Sequence, residues 1–221
     1  MTETTRPLDP REQLALIDEQ QSRVHRAIEP SVTGILLAWG LAWLIGYLTL
    51  HLTREPTGGP GWAWGIFIGA LVLAGIYTTV TLVRSQSGVR GPTRTEGTLY
   101  GIAWIMAFVA ITVVGSRIAG LLTDAGVPAA QTHEIQTVLM NFLVCLVVGV
   151  IYMVGNSLWR SPVEWVLGAW ILAVAVAASL LPVQWLFLIM AVAGGGAFLV
   201  GAAVVGMRER ARRHHAAGAA R

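Results

Sequence analysis

Lysine is absent from this sequence, and every one of its fifteen basic residues is arginine. Together with the abundance of Ala, Gly and Val, this points to a GC-rich genome. A single cysteine, Cys145, is present, so no intrachain disulfide can form and the redox compartment is not legible. Charge is scarce: 12% of residues are charged and 55% hydrophobic. That charged fraction is about half the share expected of a soluble domain. A soluble fold must coat its exterior with charge, whereas a membrane protein shows apolar side chains to lipid. Catalytic signatures are missing too. There is no P-loop, GxSxG, HExxH or paired-cysteine motif. No apolar stretch carries a carboxylate with a matching base, the kind of group that activates water or a nucleophile. These absences point to a non-enzymatic protein with no cofactor. His51, His133 and Glu134 do not follow a metal-binding spacing, so no metal site is assigned.

What the chain does have is six long apolar stretches: Val32–Leu52, Trp62–Val83, Thr98–Ser116, Gln136–Asn156, Val163–Leu181 and Val183–Val205. Each approaches the ~20 residues that cross ~30 Å of hydrocarbon as a helix. Only Pro182 separates the last two. It predicts a tight turn, because proline removes a backbone donor and clashes with the preceding helical turn. Met1 to Pro10 is polar, so no cleavable signal is expected and the first span is expected to direct insertion.

The arginines give an orientation. Arg6, Arg11, Arg23, Arg26, Arg84, Arg90, Arg94, Arg160, Arg208, Arg210, Arg212, Arg213 and Arg221 fall on one side of the spans. Arg54 and Arg117 fall on the other. The positive-inside rule then places both termini in the cytoplasm of a multi-pass plasma-membrane protein. Helix starts are signalled by Asp9-Pro10-Arg11-Glu12 and Ser161-Pro162-Val163-Glu164, and less cleanly by Thr93-Arg94-Thr95-Glu96. Glu96 and Glu164 thus read as capping residues. For Glu164 a proton or cation site is the competing reading.

Before the first span, Pro10 to Glu29 predicts a helix of about five turns. Leu14, Ile17, Gln21, Val24 and Ile28 recur at spacings of three and four, which makes one narrow apolar stripe with a polar residue in its middle. A helix that lies on lipid needs a bulkier apolar face and excess basic charge. Here Arg11, Arg23 and Arg26 are offset by Glu12, Asp18, Glu19 and Glu29. Leu14, Ile17, Val24 and Ile28 therefore form a candidate face for protein contact, with the chain's own cytoplasmic loops, a protein partner or a second copy.

Within the spans, small residues recur at i+4: Gly34, Ala38, Ala42 and Gly46; Gly61, Gly65 and Gly69; Ala169, Ala173 and Ala177; Ala193, Ala197 and Gly201. Lipid provides no hydrophobic drive between helices, so close approach through small residues is the expected packing device. Trp62, Trp64, Trp159, Trp165 and Trp185 lie toward span ends, as interfacial anchors do. Trp39, Trp43, Trp104 and Trp170 lie deeper and are expected between helices.

The fourth span carries the strongest polar stripe. Asn141, Cys145, Gly149, Tyr152 and Asn156 share one helical face, and that face should point into the bundle. Asn141, Cys145, Tyr152 and Asn156 are the candidate polar residues. Either they line a solute path or they form interhelical hydrogen bonds, each worth about 0.6 kcal/mol. Thr78, Thr79 and Thr81 of the second span are candidates to face them. The run from Met207 to His215 is basic, which suits contact with anionic lipid and not with nucleic acid.

Two stretches carry a resemblance. Leu8-Asp9-Pro10-Arg11-Glu12-Gln13-Leu14-Ala15-Leu16-Ile17-Asp18-Glu19-Gln20-Gln21 and Ala38-Trp39-Gly40-Leu41-Ala42-Trp43-Leu44-Ile45-Gly46 resemble a group of uncharacterised actinobacterial integral membrane proteins. The resemblance implies the six-span topology and carries no site residues. ABC-2-type permeases are similar in span number and in the amphipathic N-terminal helix. The chain departs from them at the bare proline turn after the fifth span and at the Ser-, Gly- and Pro-containing connection from Arg84 to Glu96.

The sequence thus predicts an all-α polytopic helical membrane protein with six transmembrane helices and an N-terminal cytoplasmic amphipathic helix. Residues 1–31 form the N-terminal segment, 32–206 the transmembrane domain and 207–221 the basic tail. The leading functional reading is an accessory or regulatory subunit that binds a partner through its N-terminal helix. The rival is a small-solute transporter or ABC-2-like permease with a path along the fourth span.

Overall fold

In the computed structural model the described residues are 9, 31–54, 60–86, 92–159 and 162–219. Apart from short turns they are helical throughout, and six helices are long and apolar enough to cross a membrane. This is a polytopic helical membrane protein. The elements are α1 (Val32–Leu52), α2 (Gly61–Gln86), α3 (Pro92–Asp124), α4 (Ala129–Trp159), α5 (Pro162–Ser179) and α6 (Val183–Ile189). A π-helical turn (Met190–Gly195) joins α6 to α7 (Gly196–Ala219). The N-terminal stripe of Leu14, Ile17, Val24 and Ile28 lies outside the described residues.

Each boundary has a local cause. Ser31 caps α1 through its hydroxyl, which accepts from the Gly34 N–H at 3.2 Å. α3 begins at Pro92, a residue suited to the first helical position. Thr93 therefore lies inside the helix and is not its cap, a correction to the capping pattern expected there. α3 also runs on past Ser116 to Asp124, and α4 begins at Ala129, so both are longer than the apolar stretches suggested. Gly126 turns the chain between them at φ +75°. The Gly126 N–H donates to the Thr123 carbonyl and the Val127 N–H to the Leu122 carbonyl, a Schellman-type close that needs the left-handed residue. Pro182 caps α6 at φ −54°, ψ 140°, so the turn after the fifth span lies where the sequence placed it. α7 continues unbroken through Met207 to Ala219, and the last span and the tail form one helix.

α1 is the hub, in contact with α2, α6, the π turn and α7. α4 packs on α5 and α3, and α5 closes the arrangement against α6, the π turn and α7. α2 packs mainly on α1, and α3 mainly on α4. The exposed side chains of α2 and α3, among them Ile68, Val72, Leu73, Ile105, Met106 and Val113, form apolar faces suited to lipid.

The small-residue rows picked out in the sequence pack unevenly. In α1 the expected row takes part: Ala42 and Gly46 are buried beside Leu36, Gly40, Trp43, Tyr47 and Leu50, with Gly46 against Phe67 and Gly34 against Tyr77. α5 instead buries Leu167, Gly168, Ile171, Val174, Ala175 and Ala178. Ala173 and Ala177 are exposed, and a methyl at Gly61, Gly65 or Gly69 would meet nothing. The close crossings are elsewhere. A Cβ on Gly195 would sit 2.9 Å from the Leu44 backbone nitrogen and 3.1 Å from the Gly40 carbonyl oxygen. Gly149 and Gly168 bring α4 and α5 together in the same way.

Candidate functional site

α4 presents its polar stripe to four neighbouring helices. At Asn141 it meets α1. The Tyr47 hydroxyl donates to Asn141 Oδ1 at 2.7 Å, a hydrogen bond buried between the two helices. At Cys145 the stripe is sealed; the side chain is 0% exposed and belongs to the same buried core as Tyr47. At Gly149 the stripe becomes the crossing with α5, where Gly168 and Leu172 fill the space beside the missing side chain. At Tyr152 it meets aromatic rings, Trp104 of α3 at 6.1 Å and Phe198 of α7 at 6.1 Å. The Asn156 side chain lies outside the described residues. Asn141 meets Tyr47 directly, and Tyr152 joins the same core through Phe198, which Trp43 also meets.

The Tyr47–Asn141 bond is walled by rings. Tyr47 lies 5.7 Å from Trp43, 4.7 Å from Phe67 and 6.3 Å from Phe187. Trp43 in turn meets Phe198 edge-on at 5.3 Å. Large side chains thus span α1 and α4, which do not pack backbone to backbone over any length. Each edge-on pair is favourable because the positive rim of one ring meets the negative face of the other.

The hydrogen-bond account of this region does not close. Among the described residues, Thr33 Oγ1, His51 Nδ1 and Asn141 Nδ2 are buried side-chain atoms without a partner. Turning the Asn141 amide over would exchange the orphan donor for an orphan acceptor. A buried polar atom left in this state costs about 1–3 kcal/mol. His51 is one helical turn along α1 from Tyr47, and buried Thr137 is one turn along α4 from Asn141. The buried polar side chains of α4 outside its glycine crossing thus gather toward the Ala129 end.

The threonines of α2 do not join this site. Thr78 and Thr79 donate to the Ala74 and Gly75 carbonyls of their own helix. Thr78 also accepts from Trp39 Nε1 of α1 at 3.0 Å, because α2 packs against α1 and not against α4. Trp39, Trp43 and Trp104 lie between helices as expected. Trp170 is half exposed, and its indole N–H donates to the Ala193 carbonyl inside the π turn at 2.9 Å. Trp64, expected as an interfacial anchor, packs on Phe67 and Phe187 in the core.

Glu164 occupies the first turn of α5, where a carboxylate suits the positive helix end. It is half-buried. No group of three or more His, Cys, Asp or Glu is close enough to hold a metal among the described residues. Tyr47 is the participant that sequence reading missed. Its i+4 spacing from Trp43 and His51 was visible, but nothing in the sequence pairs it with a residue 94 positions away. No protein-family model matches the chain, and no curated protein and no solved structure shows significant similarity to it.

Proposed function

We propose that the chain is a non-enzymatic accessory or regulatory subunit of the plasma membrane, with both termini in the cytoplasm. In this reading it binds a protein partner through the face formed by Leu14, Ile17, Val24 and Ile28. The observation that supports it is the closure of the α4 face. Cys145 is fully buried, Gly149 is pressed against Gly168, and Tyr152 is wedged between Trp104 and Phe198. A path along that face would have to part the Gly149–Gly168 crossing, where backbone meets backbone. Transport is therefore the weaker reading, and assembly with a partner the stronger.

The test is a mild-detergent pull-down of tagged protein, wild type against Leu14→Asp, with mass spectrometry of what co-purifies. A stoichiometric partner held by wild type and lost in the variant is the expected result. Recovery of both proteins alone, each as a single defined species, would overturn the reading.

A further inference from the structure

Two neighbours of α1 outrun it at its Val32 end. A Cβ on Gly206 of α7 would sit 3.4 Å from Thr33 Cγ2, and a Cβ on Gly34 would meet the Tyr77 hydroxyl of α2. Both neighbours run antiparallel to α1: Gly46 meets Phe67 where Gly34 meets Tyr77, and Gly40 meets Leu199 where Thr33 meets Gly206. From these levels α2 continues to Gln86 and α7 to Ala219. At ~1.5 Å per residue they extend about 10 Å and about 18 Å past Val32. Each packs on α1, and they have no extended contact with each other. Packed helices lie about 8–10 Å apart. Past Val32, α2 and α7 therefore bound a slot as wide as the helix that separates them.

We propose that residues 10–29 of the chain itself fill this slot as a helix seated between the ends of α2 and α7. Connectivity brings them there, since only Pro30 and Ser31 separate Glu29 from Val32. The helix predicted from Pro10 to Glu29 would be about 30 Å long, enough to cover both walls. Charge favours the same fit. Arg84 stands on the α2 wall and Arg208 and Arg210 on the α7 wall, all exposed, with Glu209 the one acid among them. The end of the predicted helix that enters the slot is its C-terminus. It carries Glu29 and the negative pole of the helix dipole, and basic side chains are favourable there. Ile28 and Glu29 are about 100° apart around the helix. Docking through Glu29 thus leaves the stripe of Leu14, Ile17, Val24 and Ile28 uncovered, so the inference does not rest on the subunit reading.

The experiment uses the purified full chain, without any partner, in single-copy lipid nanodiscs. Ala27→Cys is made in a Cys145→Ala background. It is combined in turn with Ser85→Cys on the α2 wall, with Glu209→Cys on the α7 wall, and with Thr95→Cys on α3, which packs on α4 and not on α1. A short bis-maleimide reports proximity. Ala27→Cys is expected to cross-link to each wall at least about fivefold faster than to Thr95→Cys, because docking raises the effective concentration of the paired thiols. Adding Glu29→Arg is expected to slow capture at Glu209→Cys by about fivefold, and Arg208→Glu with Arg210→Glu to restore it. Equal rates at all three positions, as an undocked segment or a slot filled by lipid would give, overturn the proposal. So does capture at one wall alone, a rate that Glu29→Arg leaves unchanged, or a loss that the compensating pair does not restore. No partner takes part, so a failed pull-down and a failed cross-link are separate results.

Discussion

At the scale of single residues, two glycines of identical appearance in the sequence have opposite roles. A Cβ on Gly168 would run into the Gly149 carbonyl oxygen and the Tyr152 and Met153 side chains, whereas a Cβ on Gly69 meets nothing within 4 Å. Backbone atoms cannot swing aside as a side chain can. Gly168→Ala should therefore destabilise the protein by about 1–3 kcal/mol through overpacking. Gly69→Ala should be neutral or stabilising by up to about 1 kcal/mol, since Gly is the poorer helix former. Thermal unfolding in detergent, followed by loss of the monodisperse chromatographic peak, separates the two. A fall in melting temperature of equal size for both would contradict the assigned crossing. The sequence could not make this distinction. Lipid is as apolar as the bundle interior, so neither side of α2 or α5 carries a hydrophobic signature. The Ala169, Ala173 and Ala177 row was as plausible on paper as the row that packs. Only the polar stripe on α4 declared its direction, because a polar side chain facing lipid is costly, and Asn141 and Cys145 are indeed buried.

At the scale of elements, the π turn is the feature least visible in advance. Its cause is a register problem. Leu186, Met190, Gly194, Phe198 and Ala202 are all buried, and each is four residues from the next. Four residues overshoot one turn of a regular α-helix by about 40°, so such a row would wind away from α1 over its length. The wider π turn holds one more residue per hydrogen-bonded loop, and four residues then fall short of a full turn. The Met190–Gly195 turn counter-rotates the row, keeping both α6 and α7 against α1. Trp170 steadies it by donating to the Ala193 carbonyl. Removing one residue from this turn should therefore let it relax to regular helix with little rotation of α7. Deletion of Val192, exposed and within the turn, is expected to leave a monodisperse protein. Deletion of Val200, equally exposed but in regular helix, should rotate the remainder of α7 by about 100° and abolish folding. Size-exclusion profiles of the two deletions provide the comparison, and equal loss would refute the register argument. Pro182 shows the opposite case. A proline between two apolar runs acts locally, so its turn was legible from three residues.

At the scale of the whole molecule, helix ends and charges combine into an orientation that neither gives alone. The packing pairs Thr33 of α1 with Gly206 of α7, and Gly34 of α1 with Tyr77 of α2, so the first residues of α1 and the last of α2 and α7 share one end of the bundle. Arg84, Arg208 and Arg210 lie at that end. Arg54, just past α1, and Arg117, in the last third of α3, lie toward the other. Arginine is retained on the cytoplasmic side during insertion, so the Val32 end should face the cytoplasm. Reporter fusions test this directly. Green fluorescent protein fused after Arg221 should fluoresce, and alkaline phosphatase at the same place should be inactive. Phosphatase inserted at Gly126, an exposed turn residue on the opposite end, should be active. The reverse pattern would invert the molecule. It would then present the Leu52 and Ala129 ends to the cytoplasm.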